Sequence, residues 1–188
     1  EAVDRGATEV CLQGGIHPKY SGETYLEIVK AIRSASSSIH IHAFSPLEID
    51  HGRKTLNISA KEFLVELKKA GLNSLPGTAA EILHDEIRAI ICPDKLTTKQ
   101  WIEIIETAHS VGLPTTSTMM FGHIEKTAHV AHHLLELLNL QKKTNGITEF
   151  VPLPFVADEA PIFRRGQARP GPTFKETILV HSVARILF

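Results

Sequence analysis

Short apolar runs and segments of helical period take turns from one end of this chain to the other, and few architectures accept that order. Thr8–Leu12 reads as a short strand halted at Gly14-Gly15, and Ile39–Phe44 alternates strictly as a second strand. Leu72–Leu75 is a third, cut by Pro76-Gly77. Leu113–Met120 and Ile147–Val151 are a fourth and fifth. Ser21 opens a helix with Leu26, Val29 and Ile32 on one face, and Ser59-Ala60-Lys61-Glu62 is a capping box for another. Thr78-Ala79-Ala80-Glu81 reads as a second box, predicting a helix to about Ile91. Thr97 opens a further helix, Glu125–Gln141 is a long one, and Phe174 starts the last. Strand then helix, five times over with one extra helix, predicts a parallel sheet. That sheet is an open doubly wound one or a partial (β/α) barrel. A complete barrel needs about 250 residues, so 188 residues hold about five βα units. The first residue is Glu1 rather than methionine, and Ala2–Gly6 reads as a helix end running into a loop. The expectation is one domain over residues 1–188, a fragment with at least one unit before residue 1.

Charge and cysteine content narrow the chemistry. A net charge of −1 gives no electrostatic footprint for nucleic acid or an anionic membrane surface. No apolar run is long enough to span a bilayer, and no secretory leader is visible. Two cysteines, Cys11 and Cys92, make no disulfide framework, so a reducing cytoplasmic setting is expected. They also cannot hold an iron–sulfur cluster that needs three or more thiolates. Both are read as small buried apolar residues, and Met119 as core. The eleven histidines are scattered, with no zinc-type spacing.

In either architecture function gathers at the C-terminal ends of the strands. Gly14-Gly15, after the first strand, lets backbone approach a ligand closely, although such a pair is more often a turn. On the second strand Ile39 and Ile41 suit packing on helices, which turns His40 and His42 to the opposite, luminal side. His42 lies nearer the mouth and is the better ligand candidate; His40 reads as a core histidine. Glu81 is either the end of a cap or a carboxylate placed beside a cavity. Arg88, two turns on, is a surface residue, a partner for Glu149 or Asp85, or a ligand contact. Glu149 lies within an apolar strand, where an unpaired buried carboxylate is costly, and this favours a functional role.

The segments TEVCLQGGIHP, IHIHAFSPLEI, AGLNSLPGTAAEIL, ICPDKL, TTSTMMFGHIE, TEFVPLPFV and RRGQARPGPT together resemble FO synthase, in its tyrosine-using half. The resemblance covers essentially the whole chain. It implies a partial barrel of the radical S-adenosylmethionine type, with a 4Fe-4S cluster held by a Cys-x3-Cys-x2-Cys loop. That loop is absent here and is expected upstream of residue 1, so this stretch alone should bind no cluster and be inactive. Carried over by position, S-adenosylmethionine would meet Gly14, Gly15, Glu81, Arg88, Met120, Gly122 and Glu125. Gly14-Gly15 would receive the methionine amino group, Met120 would pack on the base, and Glu125 would support the Gly122 turn. Thr118 stands where many members have glycine.

The activity so implied is a radical transfer. Hydrogen abstraction from L-tyrosine, followed by Cα–Cβ cleavage, would yield a 4-hydroxybenzyl group. That group would join 5-amino-6-(D-ribitylamino)uracil to make a deazaflavin precursor. An electron donor, and a lyase half either fused or separate, are the further partners implied. His42, Ser74, Thr118, His123 and Glu149 are the expected substrate contacts. Two alternatives stand beside this reading: a radical enzyme of the futalosine route to menaquinone, and a cluster-less binding fragment.

Overall fold

The structure, a computed structural model, describes residues 1–188. Its elements are β1 (Glu9–Leu12), α1 (Gly22–Ala35), β2 (His40–Ala43), α2 (Pro46–Leu56), α3 (Ala60–Ala70) and α4 (Asp85–Ile91). Then come α5 (Thr98–Ser110), β3 (Thr115–Phe121), α6 (Thr127–Thr144), β4 (Ile147–Pro154), α7 (Pro161–Arg164) and α8 (Phe174–Leu187). β1 pairs with β2 and β3 with β4, both in parallel. Ser74 bridges to His42 and Leu75 to Thr115, also in parallel, and these two residues join the pairs. Neighbours in the sheet therefore follow chain order. The sheet does not close, and β1 and β4 are its edges.

Two local expectations fail for identifiable reasons. The third strand shrinks to the bridging residues Ser74 and Leu75, because Pro76 has no amide to continue a ladder. The box at Thr78 does not form, and the helix begins only at Asp85. The Thr78 hydroxyl instead donates to Gln13 Oε1 at 2.6 Å, and Glu81 adopts φ 48° with its carboxylate on Lys95. Just before it, Gly77 lies so close to β3 that a Cβ would overlap the Thr116 carbonyl oxygen. Partners on other elements outcompete a cap worth about 1 kcal/mol. Conversely, α2 was not anticipated, although Ser45-Pro46-Leu47-Glu48 carries its signal. Glu48 Oε2 accepts the Ser45 amide at 2.8 Å, and Pro46 starts the helix.

No helix is long and apolar enough to cross a membrane. The core lies between the outer face of the sheet and the helices. Ile41, Leu64, Leu67, Leu75, Ile105 and Leu137 are fully buried there, and Trp101 nearly so. Each such side chain contributes about 1.5–3 kcal/mol. β3 shows the two-faced pattern most clearly: Thr115, Ser117, Met119 and Phe121 are buried, while Thr116, Thr118 and Met120 are half-exposed on the other side.

One core residue makes the fold sensitive to acid. His133, on α6, is fully buried, and its Nδ1 accepts the Leu83 amide at 2.9 Å. Burial, helped by nearby Arg88, pushes its pKa down to about 3. Unfolded, the ring titrates near 6.5. Between those values only the unfolded chain takes the proton, so stability falls as pH drops from about 6.5 toward 3. His42, His109 and His123 are lowered by burial as well and act in the same direction. Each such group should remove up to about 1.4 kcal/mol per pH unit across its window. Urea midpoints at pH 7 and pH 5 measure this. His133→Gln, which keeps an acceptor for the amide, should flatten the slope.

Candidate functional site at the strand ends

The strand ends converge on two neighbouring hollows. Strand β1 leaves the sheet at Gln13, and Gly14 and Gly15 follow with exposed backbone. Gly15 has φ 66°, and nothing lies within 4 Å of where its Cβ would stand. The loop is anchored from the first turn of α2, the helix after the next strand: the Gly14 amide donates to Glu48 Oε1 at 3.0 Å. Glu48 is 1% exposed, and its other oxygen accepts the Ser45 amide and hydroxyl. A buried carboxylate bound by three donors positions the glycine pair. Sequence offers no signal for this role of Glu48, because its partner Gly14 lies 34 residues away.

Glu81 reaches the same place from the other side. Its carboxylate pairs with Lys95 at 2.8 Å, and its carbonyl accepts the Met120 amide at 2.7 Å. Lys95, Gly15, Glu48, Thr78 and Trp101 share the lining of one cavity of about 170 Å³. The Thr78–Gln13 hydrogen bond closes the span between the β1 loop and residues 77–81. Gly14, Gly15, Glu81 and the end of β3 are thus brought together.

Arg88 borders that cavity, but its guanidinium is already engaged. The side chain is buried and donates to the carbonyls of Ala80 and Leu96, the latter from Nε at 2.8 Å. It pairs with neither Glu149 nor Asp85. It holds residues 80–82 and 96 in place, and through them Glu81 and Lys95.

The end of β3 is built around Glu125. Gly122 takes φ 98°, and a Cβ there would overlap Pro172. Its amide donates to Glu125 Oε1 at 2.6 Å, and the His123 amide to Oε2 at 2.8 Å. Arg169, from the RRGQARPGPT segment, adds a third contact at 3.3 Å and also binds Glu176. Burial raises the Glu125 pKa, but the Gly122 amide and the other neighbours outweigh it and hold the carboxyl below its usual range. Arg169 was not among the expected site residues. His123 was, but it does not face the lumen: it is 1% exposed, with Nε2 donating to the Met120 carbonyl and Nδ1 accepting the Ile124 amide. Burial lowers its pKa, which keeps the ring neutral.

The second hollow is the concave face of the sheet, about 490 Å³, lined mostly by residues with polar side chains. His40, His42, Ser74, Thr116, Thr118 and Glu149 line it. The Ser74 hydroxyl sits between His42 Nδ1 at 2.6 Å and His40 Nε2 at 2.7 Å, donating to one ring and accepting from the other. Burial lowers the His42 pKa, so near neutral pH this ring is uncharged and able both to donate and to accept. Two expectations are corrected here. Glu149 is exposed, because β4 is a sheet edge facing an open hollow, so the argument from a buried carboxylate does not hold. Cys11 is exposed on β1 rather than buried, while Cys92 is buried with its thiol pKa raised by burial.

The donor set decides which groups the chain can hold. With only Cys11, exposed on β1, and Cys92, buried after α4, the residues present do not fit a 4Fe-4S cluster. The open space at Gly15 and the exposed glycine backbone fit a small polar ligand such as an amino-acid moiety.

Known proteins resemble this chain along its whole length. A 5-amino-6-(D-ribitylamino)uracil–L-tyrosine 4-hydroxyphenyl transferase of Methanothermobacter thermautotrophicus is 48% identical over 188 residues, covering 100% of this chain and 51% of that protein. The protein of the same name from Methanocaldococcus jannaschii is 51% identical, again over the whole chain and 53% of its own length. FO synthase of Mycobacterium tuberculosis is 49% identical over 187 residues, which are 22% of its length. The chain therefore spans about half the length of the archaeal relatives. Among solved structures, archaeal Elp3 of Methanocaldococcus infernus superposes with a TM-score of 0.64 at 16% identity. That match covers 94% of this chain and 44% of the other, and it is a likeness of fold. The model of the radical SAM superfamily matches residues 1–138. With that match lying over a parallel α/β sheet whose strand ends gather the glycine pair, Glu81 and the Gly122 turn, the chain belongs to the radical SAM superfamily.

Proposed function

We propose that this chain forms the substrate-facing wall of a transferase that joins the 4-hydroxybenzyl group of L-tyrosine to 5-amino-6-(D-ribitylamino)uracil, and that its open sheet is part of a barrel wall of about five βα units. The observation that carries this reading is the polar concave face. A uracil ring with a ribityl chain presents donors and acceptors along its whole length. His42, Ser74, Thr116, Thr118 and Glu149 offer a matching row of polar groups along that hollow. Identity of 48–51% across every residue to transferases named for those two substrates supports the same reading.

S-adenosylmethionine, when bound, would supply the hydrogen-abstracting chemistry. The chain's own part is placement. Gly14 and Gly15, anchored by Glu48, offer backbone to the methionine amino group. Glu81 with Lys95, and Met120 with the Gly122 turn, border the remainder of the cofactor. Arg88 and Glu125 act behind them as positioning residues. His42 is held by Ser74 in one orientation, and Glu149 accepts hydrogen bonds from hydroxyl or amino groups of the substrate.

The test uses the full-length protein containing this chain, reduced and anaerobic, with S-adenosylmethionine, tyrosine and the diaminouracil. Formation of 5'-deoxyadenosine together with the 4-hydroxybenzylated uracil is the expected result. Turnover only with a futalosine-type substrate would overturn it. Glu149→Gln should raise the KM for the diaminouracil by about tenfold, the effect of losing one charge-assisted hydrogen bond. An unchanged KM would remove Glu149 from the site.

A further inference from the structure

Away from the strand ends, three side chains with metal-binding chemistry meet where α4 approaches α6. His84 immediately precedes α4, Glu86 is in its first turn, and His129 is in the first turn of α6. One ligand atom from each lies within 4.8 Å of the other two. The rings of His84 and His129 have centroids 4.5 Å apart. The Nδ1 of His84 is shut off from solvent and has no hydrogen-bond partner.

We propose that His84, Glu86 and His129 bind a divalent cation of the zinc class. Two imidazoles and one carboxylate suit a borderline cation with few ligands, whereas calcium and magnesium require more oxygens. Tetrahedral zinc holds such atoms at about 2.0–2.2 Å, which places them roughly 3.4 Å from one another. Rotation about the side-chain torsions closes the remaining gap. The Nδ1 of His129 accepts the Lys126 amide at 3.0 Å. Ligation through Nε2 moves the ring proton to Nδ1, and the amide, at an exposed residue, turns to water. A fourth position can come from water or from His132, whose ring is 5.1 Å from that of His84. His132 Nδ1 donates to the Leu83 carbonyl at 3.0 Å, which leaves its Nε2 unprotonated, the tautomer that binds metals, with Glu136 Oε1 3.6 Å away.

A cation here would clamp α4 to α6. Because α4 carries Arg88, which gathers the carbonyls of Ala80 and Leu96, the clamp would stiffen the wall beside Glu81 and Lys95. The proposal needs nothing from the transferase reading and is tested apart from it. Purified protein and its His84→Ala variant are titrated with ZnCl2 by calorimetry and by thermal melting. His84 supplies no side-chain cap to α4, so alanine removes a ligand without removing a structural bond. The wild type should take up about one zinc ion more than the variant, and zinc should raise only the wild-type melting temperature. Glu86→Gln should weaken binding at least tenfold. With CuCl2 in place of zinc, the electron paramagnetic resonance spectrum should show coupling to two imidazole nitrogens. Equal zinc stoichiometry and affinity in wild type and His84→Ala would overturn the proposal, as would a copper spectrum without nitrogen coupling.

Discussion

Glu125→Ala should destabilise the protein by roughly 3–5 kcal/mol, the cost of removing one partner from a buried charge network. The carboxylate accepts the amides of Gly122 and His123 and one arm of Arg169. Its side chain is 1% exposed, so water cannot replace it without opening the turn. Alanine strands two buried amides and takes from Arg169 one of its two carboxylate partners, leaving Glu176 and the bond from the Arg169 amide to the His123 carbonyl to hold the strap. For a domain of this size the melting temperature should fall by about 6–20 °C. Glu125→Gln should fall between, since one amide oxygen can serve one N–H while its NH2 opposes the other. The pH dependence has a definite sign. The folded carboxyl lies below its unfolded value, so its contribution is complete above about pH 4.5 and is lost as pH falls through the depressed folded value. Calorimetric melts of the three proteins at pH 7 check both the size and the order.

Arg88→Met should be about as severe, again roughly 3–5 kcal/mol, although no carboxylate is involved. The guanidinium is buried and serves carbonyls from two segments eight residues away on either side. Methionine fills much of the volume but leaves those carbonyls unsatisfied in the core. Lysine brings a charge but not the planar fork that reaches Ala80 and Leu96 at once, so Arg88→Lys should recover little. The variant should also bind S-adenosylmethionine more weakly, because Glu81 and Lys95 lie on the segments that Arg88 holds. Urea midpoints together with equilibrium binding of S-adenosylmethionine separate the two effects. Loss of stability with full cofactor affinity would confine Arg88 to the core.

Much of this arrangement was legible in the residues alone. The face of β2 was settled by Ile39 and Ile41, whose burial turns His40 and His42 inward. The boxes at Ser59 and Thr97 start helices where the pattern places them. The Gly122-to-Glu125 turn forms as the resemblance implied. The site residues that were missed, Glu48 and Arg169, had readable neighbours but ambiguous roles. Ser45-Pro46-Leu47-Glu48 announces a helix start, and nothing in it says that the second oxygen of the carboxylate will take the amide of Gly14, 34 residues back.

What the sequence by itself determined is whatever depends on short range. Strand and helix periods, the caps at Ser59 and Thr97, and the parallel order that alternation imposes all rest on residues within one or two turns of each other. What only the tertiary structure decided is the partner of each charge and the exposure of each polar side chain. The cap at Thr78 was lost to Gln13, 65 residues away, and Glu81 to Lys95. Arg88 turned to carbonyls rather than to an acid, and Glu149 came out exposed because its strand is an edge. The physical reason is one of magnitude. A local cap or a strand's burial pattern is worth about 1 kcal/mol, whereas leaving a buried amide or carbonyl unpaired costs up to about 3 kcal/mol, so the long-range partner wins wherever the fold brings one within reach.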